Sequence, residues 1–255
     1  MALFQVDGII LKVRPFGEAD KVITILTPDR GKIEAVAKGA RRPRNRFLGS
    51  TQPFTYLHLL LFSGHSLHQL NQAEILHSFA VLRDDLTKMA NASYWCEMTE
   101  GLLPEDAKEP EVFSLLLQAL TVLEQTEEPQ LLTRGFEIKL LSNLGYLPEL
   151  TVCVGCGEKP DEPFYFTPEG GGILGSCCRG RYGDAKTITK QTIEALRYLL
   201  NADLSGFTKL KASPELRLEL RSILGCYIET RLERPLKSMS FLAGIEEMNR
   251  DVKVE

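Results

Sequence analysis

Apolar positions along the first eighty residues fall in short runs rich in β-branched side chains, broken by turn residues. Phe4–Val13 is the first, with Lys12 and Arg14 at its end. Lys21–Thr27 is the second and stops at Pro28-Asp29-Arg30-Gly31. Gly31–Ala40 alternates again, then the chain breaks into Arg41-Arg42-Pro43-Arg44-Asn45-Arg46. Thr55–Phe62, a turn at Ser63-Gly64-His65, and Leu67–Ile75 complete the set. Runs of this kind bounded by Gly, Pro, Asn and Asp predict about five strands. A small closed barrel suits them, because closure removes the edges that short strands otherwise expose.

After Phe79 the period lengthens. Leu82, Leu86, Met89, Tyr94 and Met98 recur at helical steps up to Pro104. A second helix from near Glu111 is apolar almost all round, which predicts a central place in a bundle. A third runs from about Gln130 to Leu144 and stops at Gly145, a helix-ending glycine. Cys153 to about Tyr182 has no helical period. Helices then resume, with Thr189 as a cap and Ser213-Pro214-Glu215 opening the last, which ends by Pro235. The expected class is therefore α+β and multidomain. A small closed β-barrel (1–80) is followed by an all-α helical domain in two parts (81–150 and 185–242). A cysteine-bearing insert (151–184) separates them, and a C-terminal tail (243–255) follows.

Composition changes this picture little. The chain has 255 residues, 44% hydrophobic and 25% charged, the profile of a globular protein rather than a disordered or fibrous one. No apolar run reaches the length of a membrane span. The N-terminal residues lack the basic and apolar regions of a leader, so a cytoplasmic protein is expected. Charge adds more. Residues 1–80 carry 10 Lys/Arg against 6 Asp/Glu, while the whole chain has a net charge of -4. A polyanion partner is thus expected on the N-terminal part.

Two groups of residues carry candidate chemistry. Arg30, Lys32, Lys38, Arg41, Arg42, Arg44 and Arg46 lie within seventeen residues that hold a single acid, Glu34. Arginine forks donate in pairs to phosphate oxygens, and barrels of this kind track nucleic-acid backbones with a face and its loops. Phe47, Phe54 and Tyr56 are the nearby aromatics, and at least two should be core, which predicts backbone-dominated, sequence-tolerant binding. The second group is Cys153, Cys156, Cys177 and Cys178. The C-V-G-C spacing is that of a metal knuckle, and four thiolates suit structural zinc, with a metal-free turn as the other reading. Cys96 and Cys226 sit among apolar neighbours and read as buried small residues.

Other signals fail. Gly170-Gly171-Gly172-Ile173-Leu174-Gly175 matches G-x-G-x-x-G but opens no helix, so it reads as a turn in the insert. His65 and His68 read as exposed turn residues. No phosphate-loop, nucleophile-elbow or H-E-x-x-H pattern is present, and a zinc hydrolase lacks histidines in the insert.

Several segments, taken together, carry a resemblance. They are Gly17-Glu18-Ala19-Asp20-Lys21-Val22, Thr27 with Gly31-Lys32, Ala37-Lys38-Gly39-Ala40-Arg41-Arg42, and Gln52-Pro53-Phe54. With the C-x-x-C and Glu233-Arg234-Pro235-Leu236-Lys237-Ser238, the chain resembles the RecO family of bacterial DNA repair proteins, in order along nearly its whole length. The resemblance implies an OB-fold, a helical domain with a zinc-finger-like insert, and no enzymatic turnover. It implies binding of single- and double-stranded DNA through the basic barrel (Arg14, Lys32, Lys38, Arg41, Arg42, Arg44, Arg46) and annealing of complementary strands. Implied partners are RecR, the C-terminal tail of single-stranded DNA-binding protein (SSB) and, indirectly, RecA, in a nucleoid-associated cytoplasmic setting. Arg231, Arg234 and Lys237 are local basic sites for an acidic tail, although cations also suit a helix C-terminus. One departure stands out. The family's third cysteine position is Gly175 here, with Cys178 at the fourth and Cys177 displaced. The alternative from another class is an RNA-binding or ribosome-associated accessory factor built from the same barrel and zinc parts.

Overall fold

A computed structural model describes residues 2–251 of the chain. They form two compact units, residues 2–126 with 240–251 and residues 127–239.

In the first unit, β1 (Leu3–Phe16), β2 (Asp20–Thr27), β3 (Gly31–Ala37), β4 (Tyr56–Phe62) and β5 (His68–His77) close a barrel in the order β1-β2-β3-β5-β4. All neighbours are antiparallel except β3 and β5. The expected OB-like barrel is therefore present. Its inward positions, among them Ile10, Ile23, Ile25, Leu57, Leu59 and Leu61, are fully buried. Each such side chain contributes about 1.5–3 kcal/mol by leaving water. Along β4 burial alternates strictly, so Tyr56, His58, Leu60 and Phe62 face outward.

Three helices follow the barrel: α1 (Ala80–Asp84), α2 (Leu86–Leu102) and α3 (Pro110–Gln125). The single helix expected after Phe79 is broken at Asp85. That residue is extended, and its carboxylate accepts from the Lys88 N–H at 3.0 Å, so it caps α2 instead of continuing α1. α2 packs along β1. The third helix of the chain, α3, is amphipathic rather than central, with Ser114, Gln118 and Thr121 exposed. The central role falls to α4 (Pro129–Asn143) in the second unit, which is buried without interruption from Leu131 to Ile138. A buried ion pair of Arg134 and Glu137, 2.8 Å apart, lies within that run.

The second unit adds α5 (Lys190–Asn201), α6 (Pro214–Leu232) and a small sheet in the order β7-β6-β8 (Gly172–Leu174, Phe164–Thr167, Lys186–Ile188). Thr189 and Ser213 cap α5 and α6 through hydrogen bonds to Thr192 and Leu216. Gly135 is where Phe207 reaches α4; a Cβ there would stand 2.0 Å from the ring. The last helix, α7 (Lys237–Asp251), runs through the segment expected as a tail; residues 252–255 lie outside the described residues. Its Leu242 and Ile245 are buried, and such an apolar stripe is what makes a helix of the segment. No helix among the described residues is long and apolar enough to cross a membrane.

Candidate nucleic-acid interface and metal centre

The segment between β3 and β4 is a string of turns rather than a solvated excursion. Its start is tied to the β1–β2 turn: the Gly39 N–H donates to Asp20 at 2.7 Å and the Arg41 N–H to the Ala19 carbonyl at 2.9 Å. Asn45 accepts from the Phe47 N–H at 2.8 Å, an Asx turn that drives Phe47 into the barrel core. Thr51 donates to the Phe47 carbonyl at 2.6 Å and accepts from the Lys21 ammonium at 3.2 Å. Burial lowers the pKa of Lys21, whose β2 position makes it a bracket for the loop. Phe54 is also buried, so both aromatics anchor the loop. What remains outside is cationic: Lys38, Arg41, Arg42, Arg44 and Arg46 are all exposed. Arg46 is additionally held, its guanidinium 4.6 Å from the Phe47 ring centroid and donating to the Asn71 carbonyl at 2.8 Å.

In the insert, the thiols of Cys153, Cys156, Cys177 and Cys178 lie within 4.8 Å of one another. Four sulfurs placed tetrahedrally about 2.3 Å from one ion would be about 3.8 Å apart. The Cys156–Cys177 and Cys177–Cys178 separations are 3.9 and 3.7 Å. The donor set and its spacing therefore fit a closed four-thiolate metal site. Cys153 begins a tight turn in which the Cys156 and Gly157 N–H groups donate back to its carbonyl, with Gly157 at φ 79. The adjacent cysteines converge because Ser176–Arg181 is a 3-10 turn, not an extended strand. Gly175 precedes it at φ -84 and ψ 170, ordinary extended backbone, so the bend owes nothing to glycine's special angles there.

The cluster's electrostatics favour a cation. Burial opposes ionisation of Cys153, but backbone N–H groups of Gly175 and Gly155 and the neighbouring Cys156 outweigh it and bring the thiol down to about 7. Burial, and then the thiols of Cys177, Cys156 and Cys153, push Cys178 up to about 12. Four thiols this close cannot all ionise without a counter-charge, which a metal ion supplies.

Both halves of the chain match family models. Residues 1–79 match the model described as "Recombination protein O N terminal" and residues 83–240 that described as "Recombination protein O C terminal". The chain is 44% identical over 246 residues to a protein of Symbiobacterium thermophilum named DNA repair protein RecO, covering 95% of this chain and 97% of that one. It is 35% identical to the protein of the same name from Heliobacterium modesticaldum, covering 96% and 91%. This chain belongs to the RecO family of DNA repair proteins.

Within this chain the seven basic residues singled out by sequence divide into three groups. Lys38, Arg41, Arg42, Arg44 and Arg46 share the exposed loop. Arg14 lies on β1 and pairs with Glu34 at 3.3 Å, an exposed contact of little energetic weight. Lys32 is spent otherwise. Its ammonium donates to the carbonyls of Glu100 and Leu103, at 2.7 and 3.2 Å, where it closes the C-terminal end of α2. Lys12 likewise pairs with Glu100 at 2.9 Å, so the β1–β3 side of the barrel carries a helix. Two smaller expectations are corrected. Cys226 is only half-buried and accepts from the Lys186 ammonium at 2.8 Å. His68 is half-buried on β5, edge-on to Phe4. Gly170–Gly175 is a β-hairpin turn with Gly171 at φ 80 and β7, as the failed fingerprint implied. Sequence reasoning passed over Asp7 and His58, which pair at 2.6 Å on the outer face of the barrel. Their outward register on β1 and β4 was the available signal.

Proposed function

We propose that this RecO family member is a recombination mediator that works by binding rather than by turnover. It holds single-stranded DNA by its phosphates on the loop formed by Lys38, Arg41, Arg42, Arg44 and Arg46. The observation that carries this reading is the combination of five exposed cations with a backbone tied to Asp20, Ala19, Lys21 and two buried phenylalanines. A cationic surface held in place binds phosphate without first ordering itself, and so avoids that entropic cost. Strands held by phosphates keep their bases available, and the neutralised charge lowers repulsion between two approaching strands. Annealing of complementary strands follows. Acting with RecR on strands coated by SSB, the protein promotes loading of RecA; it also binds duplex DNA through the same phosphates. The setting is the cytoplasm, at the nucleoid.

The cysteine cluster is a structural zinc site held by Cys153, Cys156, Cys177 and Cys178. Zinc there supplies a cross-link between the knuckle at 153–157 and the 3-10 turn at 176–181, with no ligand position left for chemistry.

The decisive experiment is annealing. Purified protein should accelerate pairing of complementary strands without ATP, both naked and coated with the cognate SSB. Removing the acidic tail of SSB should abolish the second activity and spare the first. A requirement for nucleotide hydrolysis, or no acceleration of naked strands, overturns the proposal.

A further inference from the structure

Beside the basic loop, the outer face of the barrel carries a groove of about 370 Å³. Strand register builds it in two rows. Gln5, Leu60 and Gln72 are cross-strand neighbours on β1, β4 and β5, and Asp7, His58 and Glu74 form the next row. Arg46 and Phe47 line its rim. Leu60 is thus an apolar patch between two side-chain amides, and His58 stands between two carboxylates. Asp7 accepts from His58 Nδ1 at 2.6 Å, which fixes the ring and leaves Nε2 for another partner. Glu74 is exposed and has no side-chain partner among the described residues.

We infer that this groove is a base-selective subsite, taking the nucleobase of a strand whose phosphate lies on Arg46 and preferring bases that carry an exocyclic amine. The inference rests on the DNA-binding reading of the loop. The chemistry sorts the two parts of a nucleotide. A phosphate placed among Asp7 and Glu74 meets like charge, and the loop cations lie at one edge only. A base suits the interior, because it is flat, apolar on its faces and polar at its edges. Leu60 meets a face, while Gln5, Gln72 and His58 meet edge atoms. Selection comes from Glu74, a carboxylate that can only accept. The amino group of cytosine donates to it, whereas thymine offers a carbonyl at the same place and repels it. Arg46 links the two parts, since its stacking on Phe47 and its bond to Asn71 set the phosphate contact at the mouth of the groove.

The test measures affinity for dC15 and dT15 at one pH near 7.5 and one salt concentration, by fluorescence anisotropy, with melting curves to establish that each variant folds. Wild type should bind dC15 about fivefold more tightly than dT15, the discrimination of one good edge contact. Glu74→Ala and Gln72→Ala should each shrink that ratio toward one with the salt slope unchanged. Arg44→Ala should weaken both strands alike and keep the ratio. Equal affinities in wild type, or a ratio that survives both groove substitutions, would overturn the subsite while leaving the phosphate-binding loop in place. Failure of the wild-type protein to bind either strand would instead remove the DNA-binding reading on which the subsite depends.

Discussion

Gly155 and Cys178 approach so closely that a Cβ at position 155 would stand 2.7 Å from the Cys178 Cβ and 2.8 Å from its sulfur. The middle residue of the knuckle is therefore glycine for lack of room, with its neighbour's thiol occupying the space. Gly155→Ala should push Cys178 out of the cluster. Zinc transfer to a chelator should quicken by about tenfold or more, the usual penalty for disturbing a metal's supports. Gly180→Ala, where nothing lies within 4 Å, should leave zinc retention as in wild type. Chelator kinetics on the two variants give the comparison.

Metal affinity should rise with pH, because each thiol must lose its proton to bind. The Cys153 thiol is already near half-ionised at about pH 7 in the metal-free site, whereas Cys178, pushed up to about 12, gives up its proton only to the metal. Below about pH 7 binding should thus release one proton more than above it. A plot of log affinity against pH should steepen by one unit on the acid side. A constant slope from pH 6 to 8.5 would contradict the assignment.

Cys153→Ala should release the metal and lower the melting temperature, since metal binding contributes directly to folding. Affinity for single-stranded DNA should hold within about twofold, because the basic loop is anchored wholly within the barrel unit. Elemental analysis and anisotropy on the same preparation check both halves.

The loop and the neighbouring strand should separate cleanly by mutation. Replacing Arg41, Arg42 and Arg44 with Ala should weaken all single strands and flatten the dependence of log K on log salt by about 0.7 per lost phosphate contact. Lys32→Ala should leave that slope unchanged and lower stability instead, because its ammonium satisfies two carbonyls at the end of α2. A flattened slope for Lys32→Ala would show that its ammonium leaves the helix for DNA.

Arg134 and Glu137 pair at 2.8 Å inside α4 with almost no exposure. Arg134→Ala leaves a carboxylate in the core and should cost about 3 kcal/mol or more. The double substitution Arg134→Met with Glu137→Leu should cost clearly less, since no charge is then stranded. Denaturant unfolding of the single and double variants measures the difference.

Much of this protein was determined by the sequence alone, wherever the determining interactions are local. Alternation in β4 and the β-branched runs of β2 and β3 specify a barrel; the caps at Thr189 and Ser213 and the glycine after α4 specify helix ends; the C-x-x-C specifies a knuckle. The cationic run at 38–46 is visible for the same reason, as charge survives any folding. What tertiary structure alone decided are placements across the chain. Lys32 and Arg44 look alike in sequence, and only the docking of α2 on β1 consumes the first and leaves the second exposed. The failed prediction of a central α3 has the same origin: α4, with Arg134, Glu137 and Lys139 along it, is the less apolar of the two in sequence, yet its surroundings bury it more completely. Adjacent Cys177 and Cys178 can share one ion only because the chain there turns in a 3-10 conformation against a glycine twenty-odd residues away. Asp7, His58 and Glu74 become neighbours only through the register of three strands. Such contacts join residues far apart in the chain, and no local period or spacing encodes them.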